Sequence, residues 1–254
     1  MIKYWWEELT DEQLADEEFL QYYSWAFNNN AKKILDKKQI DFLWELYLKR
    51  KKKGTLEYPK SSFKEYEKRT YAKVENKHPN LVIHMDDRST DFLKAIYANI
   101  PCDVVRSDPD PIELKKAIES HERVLMMGHG SPGGLFGKRY GVVIGFDMVP
   151  ELSKKDNSIF IWCHADEFVE RHHLKGFYTG MFVSEVSEAR WNQIEPLPTQ
   201  QQVDFSNNLY AKIVGSVING SKEEIYTAVK KKYNPEMYIM NKVIAYNAKR
   251  QYKA

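Results

Sequence analysis

The stretch Arg123–Gly137, RVLMMGHGSPGGLFG, decides the fold predicted for this chain of 254 residues. Its apolar run VLMM ends at a histidine, His129, which has a glycine on each side. A second apolar run, IFIW, ends at Cys163. Short apolar runs between turn residues are typical of buried strands in a parallel sheet. The two runs therefore predict two buried strands that deliver an imidazole and a thiol to one edge of a sheet.

The overall composition narrows the class of protein. Hydrophobic residues make up 43% of the chain, enough for one sizeable core with a smaller helical part. The net charge is only +2, so composition gives no argument for nucleic-acid or membrane binding. No window approaches the ~18 apolar residues of a membrane-spanning helix. The acidic start of the chain is unlike a secretory signal.

The cysteine and histidine content bears on location and on metal binding. The two cysteines, Cys102 and Cys163, are too few for a disulfide framework, so a reducing, cytoplasmic location is expected. Neither a C-x-x-C nor an H-E-x-x-H spacing fixes a zinc site. We therefore predict no metal and no cofactor. His129, Cys163, His164, His172 and His173 could offer zinc ligands, but no spacing selects a set of them, so a zinc site ranks well below a pairing of the cysteine with the histidine.

The order of elements from residue 79 onward predicts the fold class. Residues 80–130 contain strand, helix, strand, helix and strand, with Ser89 or Thr90 capping the first helix. That alternation is typical of a parallel sheet with helical crossovers. Beyond it we expect a hairpin in which LFG turns at KRYG, and then a short helix. SIFIWC and GFYTGMFVS are the fourth and fifth predicted strands, before a helical C-terminal region. Residues 79–254 thus form a predicted α/β domain with a mostly parallel sheet.

A helical extension is predicted for residues 1–78. Thr10 and Gln13 have the spacing of a capping box at the start of a first helix. A second helix has a clear apolar face and would end at Gly54, after the basic run KRKKK. The residues of that face are Ile40, Leu43, Trp44, Tyr47 and Leu48. The polar, lysine-rich stretch 61–80 predicts a third helix followed by a connection.

The predicted chemistry follows from the ends of the two strands. Functional residues of parallel α/β sheets lie at the carboxyl ends of the strands, and neighbouring strands are ~5 Å apart. A nearby imidazole shifts a thiol, whose usual pKa is ~8.5, toward the thiolate. The glycines around His129 allow backbone N–H groups to approach a substrate closely. The N–H groups of Gly130 and Cys163 are the expected donors to an oxyanion.

These motifs, in this order, resemble those of the caspase-like cysteine peptidases (clan CD), the bacterial CHAT-type domains in particular. The resembling features are VLMMGHG, then IFIWC, then a glycine-containing strand and long helices, over about residues 80–230. The resemblance implies a caspase-like three-layer α/β/α sandwich and a cysteine endopeptidase acting through a thioester. It also implies that Cys163 is the nucleophile, that His129 protonates the leaving amine and that Gly130 stabilises the oxyanion.

Substrate and partners are less closely defined by the resemblance. It implies a protein or peptide substrate and, since family members are often regulated by attached domains, a regulatory partner at the N-terminal helices. Asp166 is a candidate pocket or orienting residue. Together with Asp147 and Glu167 it would favour substrates with lysine or arginine. Because His164, Ala165 and Asp166 follow the cysteine, the aspartate specificity of caspases is not implied.

Three alternatives remain beside the peptidase. Cys163 could be an inert core thiol, at odds of roughly one to two against the nucleophile. A serine hydrolase using Ser131 lacks the G-x-S-x-G elbow that its fold requires. The third alternative is a catalytically silent caspase-like binding or scaffold module in a bacterial regulatory or defence system.

Overall fold

The two apolar runs become neighbouring strands of a six-stranded sheet in the computed structural model. Nine strands occur in the described residues: β1 Asn80–Ile83, β2 Cys102–Val105, β3 Arg123–Met127, β4 Gly130–Ser131, β5 Gly134–Phe136, β6 Val142–Ile144, β7 Ser158–Ile161, β8 Gly176–Thr179 and β9 Gln251–Lys253. The order in the large sheet is β2-β1-β3-β7-β8-β9. All neighbours in it are parallel except β8 and β9, which are antiparallel.

The structure describes residues 77–138 and 141–254, residues 37–54, and single positions before them. Those positions are Leu9, Thr10, Glu12, Gln13, Asp16, Glu18, Phe19 and Tyr22. Most of the first predicted helix and most of the predicted helix 61–80 lie outside the described residues. The chain divides into two compact units, Met1–Thr70 and Tyr71–Ala254.

The helices of the described residues are α1 Lys37–Lys53, α2 Lys94–Tyr97, α3 Pro111–Ser120, α4 Val149–Leu152, α5 Ala165–Arg171, α6 Val186–Trp191, α7 Gln200–Ser216, α8 Lys222–Lys232 and α9 Lys242–Ala248. Short 3₁₀ segments cover Arg88–Leu93, Phe146–Met148 and Pro235–Met237. None of these helices has the length and apolar character needed to span a bilayer.

The central strands β3 and β7 are buried on both faces of the large sheet, which explains why their sequences are continuous apolar runs. Side chains alternate along a strand, so Leu125 and Met127 of β3 pack with α2, α7, α8 and α9. Val124 and Met126 point to the opposite face and pack with α3, α4 and α5. Burying one side chain of this size stabilises the folded state by about 1.5–3 kcal/mol relative to leaving it exposed. The chain is therefore a mixed α/β protein with a mostly parallel central sheet, as predicted.

The two crossover helices begin at aspartates. The side chain of Asp110 accepts hydrogen bonds from the N–H groups of Ile112 and Glu113, and Pro111 is the first residue of α3, as predicted. For the first crossover, the predicted cap at Ser89 or Thr90 is wrong. The cap is Asp87, whose carboxylate accepts the Ser89 N–H, and a 3₁₀ turn precedes the short α2.

The predicted hairpin is present and is larger than expected. β5 and β6 pair antiparallel, and β4, directly after His129, adds a third strand on the other side of β5. Sequence analysis missed β4 because GSPGG has the composition of a turn.

The C-terminal region is helical as predicted, but it ends in a strand that the prediction did not include. β9 pairs with β8 and completes the sheet at that edge. The sequence QYK is polar apart from Tyr252 and carries no apolar run, so it gave no strand signal.

Within the N-terminal unit, two predictions are confirmed. Thr10 and Gln13 exchange hydrogen bonds as a capping box, at 2.9 and 3.3 Å. Helix α1 ends at Lys53, and Gly54 has the left-handed φ of 65° that favours glycine at this position. Tyr47 is buried, and its hydroxyl donates to Asp16. Leu48, expected on the buried face, is instead 42% exposed.

Candidate active site

The register of β3 and β7 brings His129 and Cys163 to one edge of the sheet. Met127 pairs with Ile161, and the Gly128 N–H continues the ladder by donating to the Ile161 carbonyl at 3.0 Å. His129 and Cys163 each lie two residues beyond the last paired residue of their strand. Because β3 and β7 are parallel neighbours, both residues follow their strands at the same edge of the sheet.

The His129 imidazole is held by the loop that follows β1. Its Nε2 lies 2.6 Å from the Ser89 hydroxyl, which in turn donates to the Asp87 carboxylate at 2.5 Å. Asp87 Oδ1 is 3.8 Å from the same imidazole nitrogen. The His129 side chain is 28% exposed, so the ring is reachable from solvent. The sequence does not predict this contact, because it indicates Ser89 only as a helix cap.

The Cys163 thiol lies against the segment that follows β8. It donates to the Phe182 carbonyl at 3.4 Å, and the residue as a whole is partly exposed. Burial raises the pKa of the Cys163 thiol, and the Glu188 carboxylate raises it further. The expectation that the imidazole would lower this pKa is therefore not met. The thiol is protonated at neutral pH in this arrangement.

The imidazole and the thiol are not hydrogen-bonded to each other. Between residues 77 and 254, leaving aside 139 and 140, no such bond joins His129 and Cys163. Each makes its hydrogen bond to a different neighbouring loop, Ser89 on one side and Phe182 on the other. The thiol and the imidazole thus each have a separate hydrogen-bond partner in the part of the chain that the structure describes.

Glu188 is a buried carboxylate near both groups that sequence analysis missed. It interacts electrostatically with His129 and with Cys163. Burial raises its own pKa, while the N–H groups of Ser184 and Glu185 donate to it at 2.7 and 3.1 Å. The available signal was the pair Glu185 and Glu188, which forms a capping box at the start of α6.

The segment that carries Phe182 and Ser184 is fixed from behind by two buried asparagines. The Asn247 side chain bonds both the N–H and the carbonyl of Val183, at 2.8 and 2.9 Å. Asn207 donates to the Ser184 carbonyl at 2.9 Å. These bonds satisfy buried backbone groups and set the position of the wall against which the thiol lies.

Gly130 is the predicted oxyanion donor, and its surroundings admit only glycine. A Cβ atom there would lie 2.2 Å from the Trp162 ring. The Phe136 N–H donates to the His129 carbonyl, which makes residues 129 and 136 a hydrogen-bonded pair of the β4–β5 ladder. Bonded and non-bonded pairs alternate, so the Gly130 N–H points away from β5.

The backbone reverses sharply directly after the thiol. His164 has a left-handed conformation, with φ of 66°, which is costly for a residue other than glycine. Its ring bonds Glu167 at 2.9 Å, and this hydrogen bond lowers the pKa of the Glu167 carboxyl. This turn separates the end of β7 at Ile161 from the start of α5 at Ala165.

The acidic residues predicted to line a pocket have separate locations. Asp166 lies in α5, with one carboxylate oxygen beside Gly180, and burial raises its pKa. Asp147 is exposed in the 3₁₀ segment after β6. In the described residues, no hydrogen bond or ion pair links Asp147, Asp166 or Glu167 to the thiol or the imidazole.

A single group of candidate metal ligands occurs in the part of the chain that the structure describes. It consists of His164, Asp166 and Glu167, whose ligand atoms lie within 4.8 Å of one another. His129, Cys163, His172 and His173, which the sequence offered as zinc ligands, are not in this group.

Comparison of the chain with protein-family models, with curated proteins and with solved structures finds no match.

Proposed function

We propose that this protein is a cysteine peptidase with a caspase-like fold, in which Cys163 is the nucleophile and His129 the general base and acid. The observation that carries the proposal is the parallel pairing of β3 with β7, after which His129 and Cys163 follow at the same edge of the sheet. Helices on both faces of the sheet are compatible with the three-layer sandwich of that fold. The motifs VLMMGHG and IFIWC support the same assignment.

The first chemical step is attack on the scissile carbonyl carbon. The Cys163 thiol proton moves to His129 as a bond forms between sulfur and that carbon. The carbonyl oxygen becomes an oxyanion, which accepts hydrogen bonds from the N–H groups of Gly130 and Cys163. The Gly130 N–H faces away from β5, so the β4–β5 ladder does not use it.

The second step breaks the peptide bond. The carbon–nitrogen bond cleaves as the protonated imidazole gives its proton to the leaving amine, which leaves a thioester on Cys163. Water then attacks the thioester, transferring one proton through His129 back to sulfur and releasing the acid. The imidazole ends each cycle in the state in which it began.

The raised pKa of the thiol fits this sequence of events. Because burial keeps Cys163 protonated at rest, the proton leaves only when a carbonyl carbon is present to accept the sulfur electrons. The nucleophile is thereby shielded from alkylation and oxidation when no substrate is bound.

A fluorogenic peptide library tests the activity. Cys163→Ala and His129→Ala should each abolish cleavage while the protein remains folded. Cys102→Ala is the matched control, since it removes the other half-buried thiol and should leave cleavage unchanged. Cleavage by Cys163→Ala would overturn the proposal. The library also tests whether Asp147, Asp166 and Glu167 favour lysine or arginine before the scissile bond.

The second candidate function is a binding or scaffold module with a silent site. The raised thiol pKa and the missing bond between Cys163 and His129 favour it. A peptidyl acyloxymethyl ketone library separates the two functions, because such probes need a working nucleophile placed beside a bound peptide. Labelling at Cys163 that His129→Ala abolishes supports the peptidase. Absence of labelling in a protein that binds the same peptides supports the module.

A further inference from the structure

The loop after β1 supplies a side-chain relay to the candidate imidazole. Three contacts define it. The Ser89 hydroxyl is 2.6 Å from His129 Nε2, the same hydroxyl is 2.5 Å from Asp87 Oδ1, and the Ser89 N–H donates to that oxygen at 2.9 Å. Because β1 and β3 are neighbours, the relay reaches His129 from the adjacent strand.

The number of protons in the relay fixes its direction. The Ser89 hydrogen bonds lower the pKa of Asp87, so its carboxylate is ionised and only accepts. Ser89 has a single hydroxyl proton, and the contact with the carboxylate requires it. The hydroxyl oxygen must then accept from the imidazole, and the proton of that bond lies on Nε2 of His129.

We propose that Asp87 and Ser89 are positioning residues that hold His129 in the Nε2–H tautomer, so that Nδ1 exchanges protons with Cys163 and the leaving amine. The relay geometry stands without any reaction, but the assignment of the proton-transferring nitrogen rests on the peptidase proposed above. Nδ1 makes no hydrogen bond to any described residue, and the ring is 28% exposed.

The positions of the protons in the relay also argue against Ser89 as a nucleophile. A serine nucleophile gives its proton to the imidazole, as the hydroxyl of a serine hydrolase does. Here the Ser89 proton points to Asp87, and the hydroxyl oxygen is used as an acceptor. The thiol remains the nucleophile of the site.

The relay is built on a rigid support. Thr90 bonds the Asp87 carbonyl with both its N–H and its hydroxyl, at 3.1 and 3.2 Å. The Thr90 hydroxyl also contacts the fully buried His84 of the strand end, at 3.1 Å. The loop is therefore fixed from the core, which is what a group that orients another side chain requires.

The test measures tautomer and turnover separately. In full-length Cys163→Ala, long-range ¹H–¹⁵N spectra should show Nε2 of His129 with the shift of a protonated nitrogen and Nδ1 with that of an unprotonated one. Adding Ser89→Ala should shift the signals toward a mixture of tautomers. Ser89→Thr keeps the hydroxyl and should restore the single form. Ser153→Ala, at an exposed serine, is the matched control.

In the protein with its thiol, Ser89→Ala and Asp87→Asn should lower kcat by about 10–100-fold with KM nearly unchanged. Ser89→Thr should recover most of kcat. A His129 that is Nδ1–H in the parent, or that keeps its tautomer in Ser89→Ala, overturns the positioning role. A protein with the expected tautomers that cleaves no peptide overturns the peptidase and leaves the relay standing. Full kcat in Ser89→Ala overturns the role in catalysis.

Discussion

Acidification should destabilise the protein through His84, the buried histidine beneath the relay loop. Its ring bonds the hydroxyls of Tyr97 and Thr90 at 2.9 and 3.1 Å and is fully buried. Burial, together with smaller contributions from the cations of Lys94 and Arg106, lowers the pKa of His84 to about 4. In the unfolded chain the same histidine has a pKa of about 6.5. The folded state therefore excludes a proton that the unfolded chain takes up.

The sign and size follow from the two pKa values. As pH falls below about 6.5, the unfolded chain binds the proton first, so the free energy of unfolding decreases until the folded pKa is reached near 4. Each pKa unit corresponds to about 1.4 kcal/mol, which gives about 3 kcal/mol over the whole window. Between pH 7 and pH 5 the loss attributable to His84 is about 2 kcal/mol.

Urea unfolding at pH 7 and at pH 5 measures this loss directly. A glutamine at this position cannot titrate. The free energy of unfolding of His84→Gln should therefore fall between pH 7 and pH 5 by about 2 kcal/mol less than that of the parent, whatever the effect of the substitution at pH 7. His173→Asn is the matched control. That histidine is exposed, and its left-handed φ of 52° suits asparagine. Equal losses in the parent and in His84→Gln would refute the reasoning.

The remaining predictions concern the walls of the site, each measured by urea unfolding. Gly130→Ala should lower the free energy of unfolding by about 1–3 kcal/mol or prevent folding, because the new Cβ would lie 2.2 Å from the Trp162 ring. Gly141→Ala, with no atom within 4 Å of the new Cβ, should be nearly neutral, and equal effects would contradict the packing argument. Asn247→Ala should cost about 2–5 kcal/mol, since it leaves the buried Val183 N–H and carbonyl without partners. If Asn247→Ala lowered the free energy of unfolding by less than about 0.5 kcal/mol, as a typical surface substitution does, water would have replaced the amide as the partner of Val183.

The positions of the two principal side chains could be predicted because both are local to their strands. An apolar run that ends in glycine and histidine fixes where β3 stops, and IFIW does the same for β7. Parallel pairing then puts both ends at one edge, as the ladder between Met127 and Ile161 shows. The alternation of strands and helices was sufficient to predict the fold class, because apolar residues recur at a different spacing in a strand and in a helix.

The contacts that tune those side chains could not be predicted in the same way. Ser89 lies 40 residues before His129, and nothing in the sequence DDRST indicates which hydroxyl faces the ring. Glu188 is distant in sequence from both His129 and Cys163, although it lies near them in the structure, and its burial depends on the turn after β8. The pKa of the thiol follows from these surroundings, so a rule based on the cysteine and histidine alone gave the wrong direction.

The two carboxylates around the site act on different protons, and together they define its resting state. The Asp87 carboxylate accepts a hydrogen bond from the Ser89 hydroxyl. In the proposed relay, the same hydroxyl oxygen accepts a hydrogen bond from Nε2–H of the imidazole. Burial, with a smaller contribution from the Glu188 carboxylate, raises the pKa of Cys163 and keeps the second proton on sulfur. In the proposed relay, Nε2 of His129 carries a proton, and Nδ1 is the nitrogen that would exchange a proton with the thiol. In the proposed peptidase, a bound peptide carbonyl that accepts the sulfur electrons supplies the driving force for moving the proton, so the chemistry starts only when a substrate is bound.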